Sequence, residues 1–363
     1  MRLTVYLREQ AKLHPSMEPV DAIKLCYQAA YGAEHLIKNI DTANFYFREE
    51  FERVEAGDES EPLYEHISDV GCRVNLRAWK RRGLPGEWLF NMFTQSNIPL
   101  INSRFLMEFE KRDALKAFFD DVEQLADEGI FGFDKEQWNR CLAEYPMDNP
   151  VALHHSKAYH EKEKPAYRIV SRHYIKLFPV LEELAKLPDD KVKVVAIEGK
   201  CGSGKTIYAK GLAALLVAGT IHMDDFFLPA ELRTPERLNE AGGNIHYERF
   251  LEEVVPNLRN PEEFTYGRFD CGQMTIRGER RVDPAMLRIV EGSYSCHPKF
   301  GDYMDIRVFL DVDEEVQKNR LVDRDGEDVL ERFENVWIPM EKKYFDAFDI
   351  PGKADVFILN QNL

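Results

Sequence analysis

The sequence has little of what a membrane protein, a disulfide-rich secreted protein or a nucleic-acid-binding protein requires. No apolar run is long enough to span a bilayer, and residues 1–9 carry charges where a signal peptide would need an apolar core. The six cysteines show no close pair at metal-ligand or redox spacing, so we expect reduced thiols. A formal net charge of −16 opposes general binding to nucleic acid or anionic membranes. These absences predict a cytoplasmic protein without nucleic-acid or membrane partners.

The chain has two regions with different hydrophobic periodicity. Residues 1–190 show helical patterns, including a long helix predicted over 166–187 that follows Pro165 and is kinked or split at Pro179. Beyond residue 191, β-branched runs at 192–198, 219–223, 264–269, 287–291, 305–311 and 354–359 alternate with helical stretches at 205–217, 246–258, 312–324 and 327–346. Such alternation predicts a parallel sheet with helices on both faces. We therefore expect a mainly α-helical domain of unknown role over 1–188 and an α/β domain over 189–363.

One stretch satisfies the phosphate-binding P-loop pattern of a Gly, four free positions and Gly-Lys-Thr. It consists of Gly199, Lys200, Cys201, Gly202, Ser203, Gly204, Lys205 and Thr206. Glycines let the backbone wrap a polyphosphate, while consecutive N–H groups and the following helix N-terminus supply positive dipole. In this pattern Lys205 reaches the β- and γ-phosphates and the Thr206 hydroxyl ligates Mg²⁺. These eight residues predict binding of a nucleoside triphosphate, which we take to be ATP, together with Mg²⁺.

Charged residues at later strand and helix positions form a second constellation. The predicted strand 219–223 ends at Asp224, and ligands of parallel sheets gather at the carboxyl ends of the strands. A carboxylate there accepts a proton from an attacking hydroxyl or holds Mg²⁺ through water. Arg320 and Arg324 are four residues apart, so they share a helix face from which guanidinium groups can bridge phosphate oxygens. We expect them to belong to a lid, with a solvated, salt-bridged helix as the alternative.

The order strand, P-loop, helix, strand and Asp-x-Phe-aromatic at 224–227 resembles the uridine kinase, pantothenate kinase and phosphoribulokinase group of P-loop kinases. The likeness continues through Glu291-Gly292 after the strand 287–291, and through the core strand, lid and closing strand of 305–358; it leaves the first half uncovered. It implies that Asp224 is the catalytic base beside Lys205. We expect Glu291 to hold a metal-bound water. The candidate substrate contacts are Tyr247, Arg249, Tyr266 and Arg268.

These features lead to an ATP-dependent kinase that phosphorylates a hydroxyl of a small metabolite, with a nucleoside such as uridine as the nearest acceptor by resemblance and pantothenate or a sugar phosphate behind it. The alternative is a P-loop nucleotide-binding regulator or NTPase whose helical domain binds a partner. A GTPase switch is disfavoured because no Asn-Lys-x-Asp segment occurs, and an ABC-type ATPase because no Leu-Ser-Gly-Gly segment occurs. The helical half is expected to cover the acceptor pocket or to mediate assembly into a homo-oligomer, and both expectations stay open.

Overall fold

The computed structural model describes residues 3–34, 36–97 and 108–361. The chain divides into two compact units, Met1–Ile175 and Lys176–Leu363. This boundary precedes the predicted one at 188/189 because the helix Phe178–Ala185 belongs to the second unit, where it packs against the strand Ile306–Asp311. Within the described ranges, no helix is both long and apolar enough to cross a lipid bilayer.

The first unit is mainly helical, as the sequence predicts. Its helices α1–α8 are Leu3–Leu13, Pro19–Tyr31, Ile40–Arg53, Leu76–Arg81, Gly86–Ser96, Glu108–Asp127, Lys135–Ala143 and Lys157–Glu163. One apolar cluster joins α1, α2, α6 and α7 through side chains such as Leu7, Ile23, Leu115 and Trp138, each fully or almost fully buried. The helical periodicity of these segments therefore corresponds to one shared core.

A three-stranded antiparallel sheet completes the first unit, and the sequence patterns did not predict it. Strands β1 (Tyr64–His66), β2 (Gly71–Asn75) and β3 (Tyr167–Ser171) lie side by side in that order. The helix predicted over 166–187 is therefore wrong in its first part, because pairing of β3 with β2 buries Ile169 and Val170. A 3₁₀ turn, Arg172–Leu177, follows β3, and the α-helix comes only after it.

Arg73 on β2 is a buried cation that joins this sheet to the helices. Only 4% of the residue is exposed, and its guanidinium donates to Oε1 of Gln28 (2.7 Å), Oε1 of Gln10 (3.0 Å) and Oε1 of Glu65 (3.3 Å). The same group lies over the ring of Tyr167, 4.5 Å from its centroid. Because a buried guanidinium is costly without partners, α1, α2, β1 and β3 are fixed around it.

Replacing this arginine by an uncharged chain of similar length tests the arrangement. We expect Arg73→Met to lower the free energy of unfolding of the first unit by about 3–5 kcal/mol, since it leaves polar partners of a buried charge unpaired. Urea unfolding followed by the fluorescence of Trp79, Trp88 and Trp138, which all lie in this unit, measures the change.

Arg53→Met is the matched control, because the Arg53 side chain is 78% exposed in an i,i+4 pair with Glu49. Its effect should stay within about 0.5 kcal/mol. Equal unfolding midpoints for Arg73→Met and the unaltered chain would contradict the role given to Arg73.

The second unit contains a parallel sheet, as predicted. Its strands β4–β10 are Lys193–Gly199, Gly219–His222, Phe264–Asp270, Thr275–Val282, Leu287–Glu291, Ile306–Asp311 and Val356–Leu359. Its helices α9–α15 are Phe178–Ala185, Lys205–Leu216, Pro235–Leu238, Tyr247–Glu253, Glu314–Asp325, Glu327–Arg332 and Ile338–Phe348. Five strands form the main sheet in the order β10-β9-β4-β8-β5, and every neighbouring pair is parallel.

Both faces of this sheet are covered. Val194 and Ala196 point to one face of β4 and Val195 and Ile197 to the other, and all four are 0% exposed. Such runs of apolar residues are typical of a strand buried on both sides. The carboxyl ends of β4, β5 and β8 therefore come together at one edge, directly before the segments that carry the predicted site.

Strand 264–269 is present, but it does not join the parallel sheet. It is part of β6, which pairs with β7 in an antiparallel hairpin with an irregularity between Gly267 and Phe269. β7 was not predicted, because Thr275–Val282 is rich in charged residues and lacks an apolar run; the strand is mostly exposed. The hairpin carries Phe269, Cys271 and Met274 beside the predicted site.

Candidate active site

The P-loop has the conformation that its glycines allow. β4 ends at Gly199 with a φ of +144°, and a Cβ there would lie 2.1 Å from the carbonyl oxygen of Leu310. Gly204, with a φ of +89°, caps the N-terminus of α10, and Gly202 has a φ of +71°. Residues with side chains rarely adopt these conformations. The loop between β4 and α10 is therefore a concavity of backbone N–H groups of the kind that binds phosphate.

Two lysines of the loop have different environments. Nζ of Lys205 donates to the carbonyl oxygens of Gly199 (2.7 Å) and Lys200 (2.9 Å), so the side chain folds back over the loop. Nζ of Lys200 instead lies 2.7 Å from Oδ1 of Asp311 and 3.2 Å from the carbonyl oxygen of Val312. Lys205 thus presents its charge at the loop, whereas Lys200 contributes backbone only.

Two candidate metal ligands meet at the ends of β8 and α10. The Thr206 hydroxyl donates to Oε2 of Glu291 at 3.1 Å. The other oxygen of Glu291 lies 2.5 Å from Nδ1 of His222, a neighbour at the end of β5 that the sequence reasoning missed. A hydroxyl and a carboxylate side by side are oxygen donors of the kind Mg²⁺ prefers, so the residues present fit this ion.

Two consecutive aspartates follow β5 and face different surroundings. Asp225 is 3% exposed, and it is paired with Nε of Arg280 at 2.5 Å and accepts from the Tyr266 hydroxyl at 3.2 Å. Asp224 opens into a cavity. Because the cavity walls limit the hydration of its carboxyl, the pKa of Asp224 is raised, and the carboxylate of Glu291 raises it further. Asp224 therefore has the position and the basicity suited to proton transfer.

A cavity of about 870 Å³ connects these groups, large enough for a nucleotide with a second small molecule. Nine of the predicted site residues line it: Cys201, Gly202, Gly204, Lys205, Thr206, Asp224, Glu291, Arg320 and Arg324. Gly199, Lys200 and Ser203 shape the loop without bordering the cavity. The wall also contains Phe227, the last residue of the Asp-x-Phe-aromatic stretch, and side chains that the sequence did not single out, among them Arg233, Asn244, Phe269, Met274, Arg332, Phe333, Trp337 and Glu341.

The predicted lid helix is present as α13. Arg320 donates from Nη1 to the carbonyl oxygen of Gly202 at 3.2 Å, and Arg324 is paired with Asp325 at 2.6 Å. The helix predicted over 327–346 is interrupted: α14 and α15 are separated by a π-helical turn, Phe333–Trp337. Pro339 explains the interruption, because it lacks the N–H of a regular helix and its ring displaces a preceding carbonyl.

Helix α15 reaches the P-loop through Glu341. Its Oε2 accepts from the backbone N–H of Cys201 at 2.9 Å, and its Oε1 accepts from the Ser293 hydroxyl at 2.5 Å. Glu341 is 6% exposed, so the contact is an internal one. A motif could not reveal it, because the three residues come from three distant segments.

The structure does not bring the four predicted substrate contacts to the cavity. Arg249 is 6% exposed, paired with Glu253 at 2.8 Å, and donates to the carbonyl oxygens of Asp225 and Gly267. Tyr266 is buried against Asp225. Arg268 is exposed on β6.

Tyr247, the remaining one, is 8% exposed, and its ring lies between two cations. Arg237 and Lys299 are 3.5 Å and 3.7 Å from the ring centroid. In the part of the chain that the structure describes, Tyr247, Arg249 and Tyr266 thus already contact other side chains or backbone groups of this chain.

A buried carboxylate, Glu198, fixes the loops around the site. It is 1% exposed and accepts from the backbone N–H groups of Gly199 (3.0 Å), Tyr294 (3.1 Å) and Cys296 (3.2 Å), and from the Tyr344 hydroxyl (3.1 Å). Burial raises the pKa of Glu198 to about 7, while the hydrogen bond from Gly199 and the charge of Lys205 act in the opposite direction.

Comparisons with known proteins agree with the resemblance seen in the sequence. No family model matches the chain. Over 175 residues, 44% of this chain and 81% of the relative, it is 22% identical to a uridine kinase from Ligilactobacillus salivarius (strain UCC118). The resemblance to uridine kinases is confirmed at this level, and the matched share of the chain is consistent with its restriction to the C-terminal half.

Solved structures also match part of the chain. One, described as a possible uridine kinase from Bacillus stearothermophilus, is 18% identical and matches 51% of this chain and 98% of its own with a TM-score of 0.40. Another, described provisionally as a fructose transport system kinase from Silicibacter sp. TM1040, is 22% identical and matches 50% and 96% with a TM-score of 0.40. The second unit has a P-loop kinase-type fold on the evidence of its own strand order and loop.

The Glu198 anchor can be tested without any ligand. In Glu198→Gln an amide NH₂ replaces an oxygen that accepts hydrogen bonds, so at least one buried donor loses its acceptor, at a cost of about 1–3 kcal/mol. We expect amide hydrogen exchange at residues 199–204 and 293–297 to become about 10- to 100-fold faster, measured by mass spectrometry. Glu263→Gln, at an exposed ion pair with Arg281, is the control and should leave these amides unchanged. Unaltered exchange in Glu198→Gln would contradict the role given to Glu198 in fixing these loops.

Proposed function

We propose that the chain is an ATP-dependent kinase that transfers a phosphoryl group to a hydroxyl of a small molecule. The observation that carries the proposal is that the Asp224 carboxyl opens into the same cavity as Lys205 and the Thr206–Glu291 pair. A general base beside a phosphate-binding loop is what phosphoryl transfer to an alcohol requires. A module that only binds nucleotide has no need of a basic carboxylate there.

The residues of this chain would divide the work. The loop N–H groups and Lys205 bind phosphate oxygens of ATP, and Thr206 and Glu291 hold Mg²⁺, which neutralises phosphate charge when bound. Asp224 takes the proton of the acceptor hydroxyl while the oxygen of that hydroxyl attacks the γ-phosphorus. The new O–P bond forms while the bond to the β,γ-bridging oxygen breaks, and ADP leaves.

The arginines of α13 and α14 support closure over the phosphates. Arg320, Arg324 and Arg332 line the cavity, and their guanidinium groups suit the oxygens of a transferring phosphoryl group. Exclusion of water by such a lid would limit ATP hydrolysis without transfer. The six cysteines are free thiols, which agrees with the cytoplasm as the compartment that we propose.

A coupled assay of ADP release from Mg·ATP tests the proposal. Candidate acceptors are uridine and other nucleosides, pantothenate, sugar phosphates and small hydroxy acids. We expect one class to raise ADP release, and Asp224→Asn to lower kcat about 100- to 10,000-fold with little change in the affinity for ATP. Asp225→Asn is no control because it breaks a buried ion pair; Asp283→Asn, whose side chain is 82% exposed, is the matched one.

The same assay can also contradict the kinase proposal. If ATP binds but no acceptor raises turnover, and Asp224→Asn behaves as the unaltered protein does, the kinase mechanism fails. The chain would then fit the alternative, a nucleotide-binding regulator or NTPase whose first unit binds a partner.

The pH dependence of turnover gives a second test. Asp224 must be ionised to accept a proton, and its surroundings raise its pKa. We therefore expect kcat/KM to fall on the acid side as pH drops through this raised pKa, above the usual value of about 3.9 for Asp. The profile is measured at saturating Mg·ATP. An acid limb at the usual Asp value would contradict the role of Asp224.

A further inference from the structure

Arg233 is a cation in the wall of the candidate active-site cavity. It is half-buried, and among the described residues its guanidinium has no hydrogen-bond, ion-pair or ring partner. Its backbone N–H donates to the carbonyl oxygen of Ala230 at 3.3 Å. A guanidinium held beside a cavity without a counter-ion is suited to a carboxylate or phosphate of a ligand.

The other arginines and the lysine of the cavity already have partners. Lys205 and Arg320 donate to P-loop carbonyls, and Arg324 is paired with Asp325. Arg332 lies over the ring of Trp337 at 4.9 Å. Three of these four lie in or against the P-loop or the α13 lid, on the side expected for the phosphates of ATP.

Arg233 and Asp224 line the same cavity and are close in sequence. The segment from Phe227 to Asn244 comes shortly after Asp224 in the chain. Within it, the backbone N–H of Ala230 donates to the carbonyl oxygen of Met274 at 3.2 Å, which connects the segment to the β6–β7 hairpin. Cys271, beside Met274 at the hairpin tip, is close enough to Asp224 that burial and then the charge of this carboxylate raise the pKa of its thiol. Arg233 therefore belongs to a cavity-lining segment that contacts the same hairpin as the proposed base does.

We propose that Arg233 binds an anionic group of the acceptor, so that the substrate is a small hydroxyl compound bearing a carboxylate or phosphate rather than a neutral nucleoside. This inference rests on the proposed function, because it assigns the acceptor of the same site. The 3₁₀ turn Ala230–Leu232 before Arg233 and the Thr234 cap of α11 after it hold its backbone in place, as a specificity residue requires.

The experiment compares acceptors in pairs that differ only by the anion: glycerate with glycerol, pantothenate with pantothenol, and ribose 5-phosphate with ribose, with uridine as the neutral nucleoside. We expect kcat/KM to favour one anionic member about 10- to 100-fold; the pair that responds distinguishes carboxylate from phosphate. Arg233→Gln should raise the KM of that acceptor by a similar factor and change the KM of ATP less than about twofold.

Two further variants separate recognition from folding. Arg233→Lys keeps the charge and should recover part of the loss. Arg277→Gln, at an exposed arginine of the β6–β7 hairpin outside the cavity wall, should have no effect. Equal use of neutral and anionic acceptors, or an equal rise of KM for both members of a pair in Arg233→Gln, would overturn the inference.

A second measurement distinguishes failure of the proposed kinase function from failure of the anion site at Arg233. If no acceptor raises ADP release, the same pairs are titrated by calorimetry into the protein with Mg·ADP. Binding of an anionic member that is lost in Arg233→Gln would support the anion site although the kinase proposal fails. No difference between the members of any pair would reject the site as well.

Discussion

One buried carboxylate, Glu198, connects the elements that form the site. It lies directly before the first residue of the P-loop and accepts hydrogen bonds from the last residue of β4, from the turn after β8 and from α15. Taking a carboxylate out of water is expensive unless donors surround it, so the three segments can pack only in arrangements that supply those donors. The positions of the phosphate-binding loop, the turn that contains Ser293 and the helix that carries Glu341 therefore depend on one another.

Two adjacent aspartates illustrate how surroundings divide chemical roles. Asp225 is paired with Arg280 and held by Tyr266, so it is a structural anion that fixes the hairpin to the end of β5. Asp224 has no ion pair among the described residues, and limited hydration and the charge of Glu291 disfavour its ionised form. The same residue type thus becomes a fold-stabilising group at one position and a basic group facing a cavity at the next.

The sequence predicted what depends on local pattern. The P-loop, the parallel strands and the position of Asp224 after β5 follow from glycine spacing and apolar periodicity. Features that depend on distant partners were not predictable. β3 was predicted to be helical because its own residues do not show that it pairs with β2. Arg249 looked like a ligand contact because its ion pair with Glu253 and its contacts with the backbone arise only when α12 packs. Arg233 belongs to no motif, and its significance comes from the absence of a partner among the described residues.

This difference bears on what similarity to a uridine kinase can convey. Phosphate is held largely by backbone N–H groups, whose arrangement needs glycines at fixed spacing, so the donor half of the site is visible in a short motif. The acceptor half that we propose is lined by side chains from the segment after Asp224, the β6–β7 hairpin and α15, which are far apart in sequence. No motif constrains how such segments combine, and a relative at 22% identity can share the first half without the second. The acceptor must therefore be inferred from the charges and unpaired groups of this cavity, and not from the name of a relative.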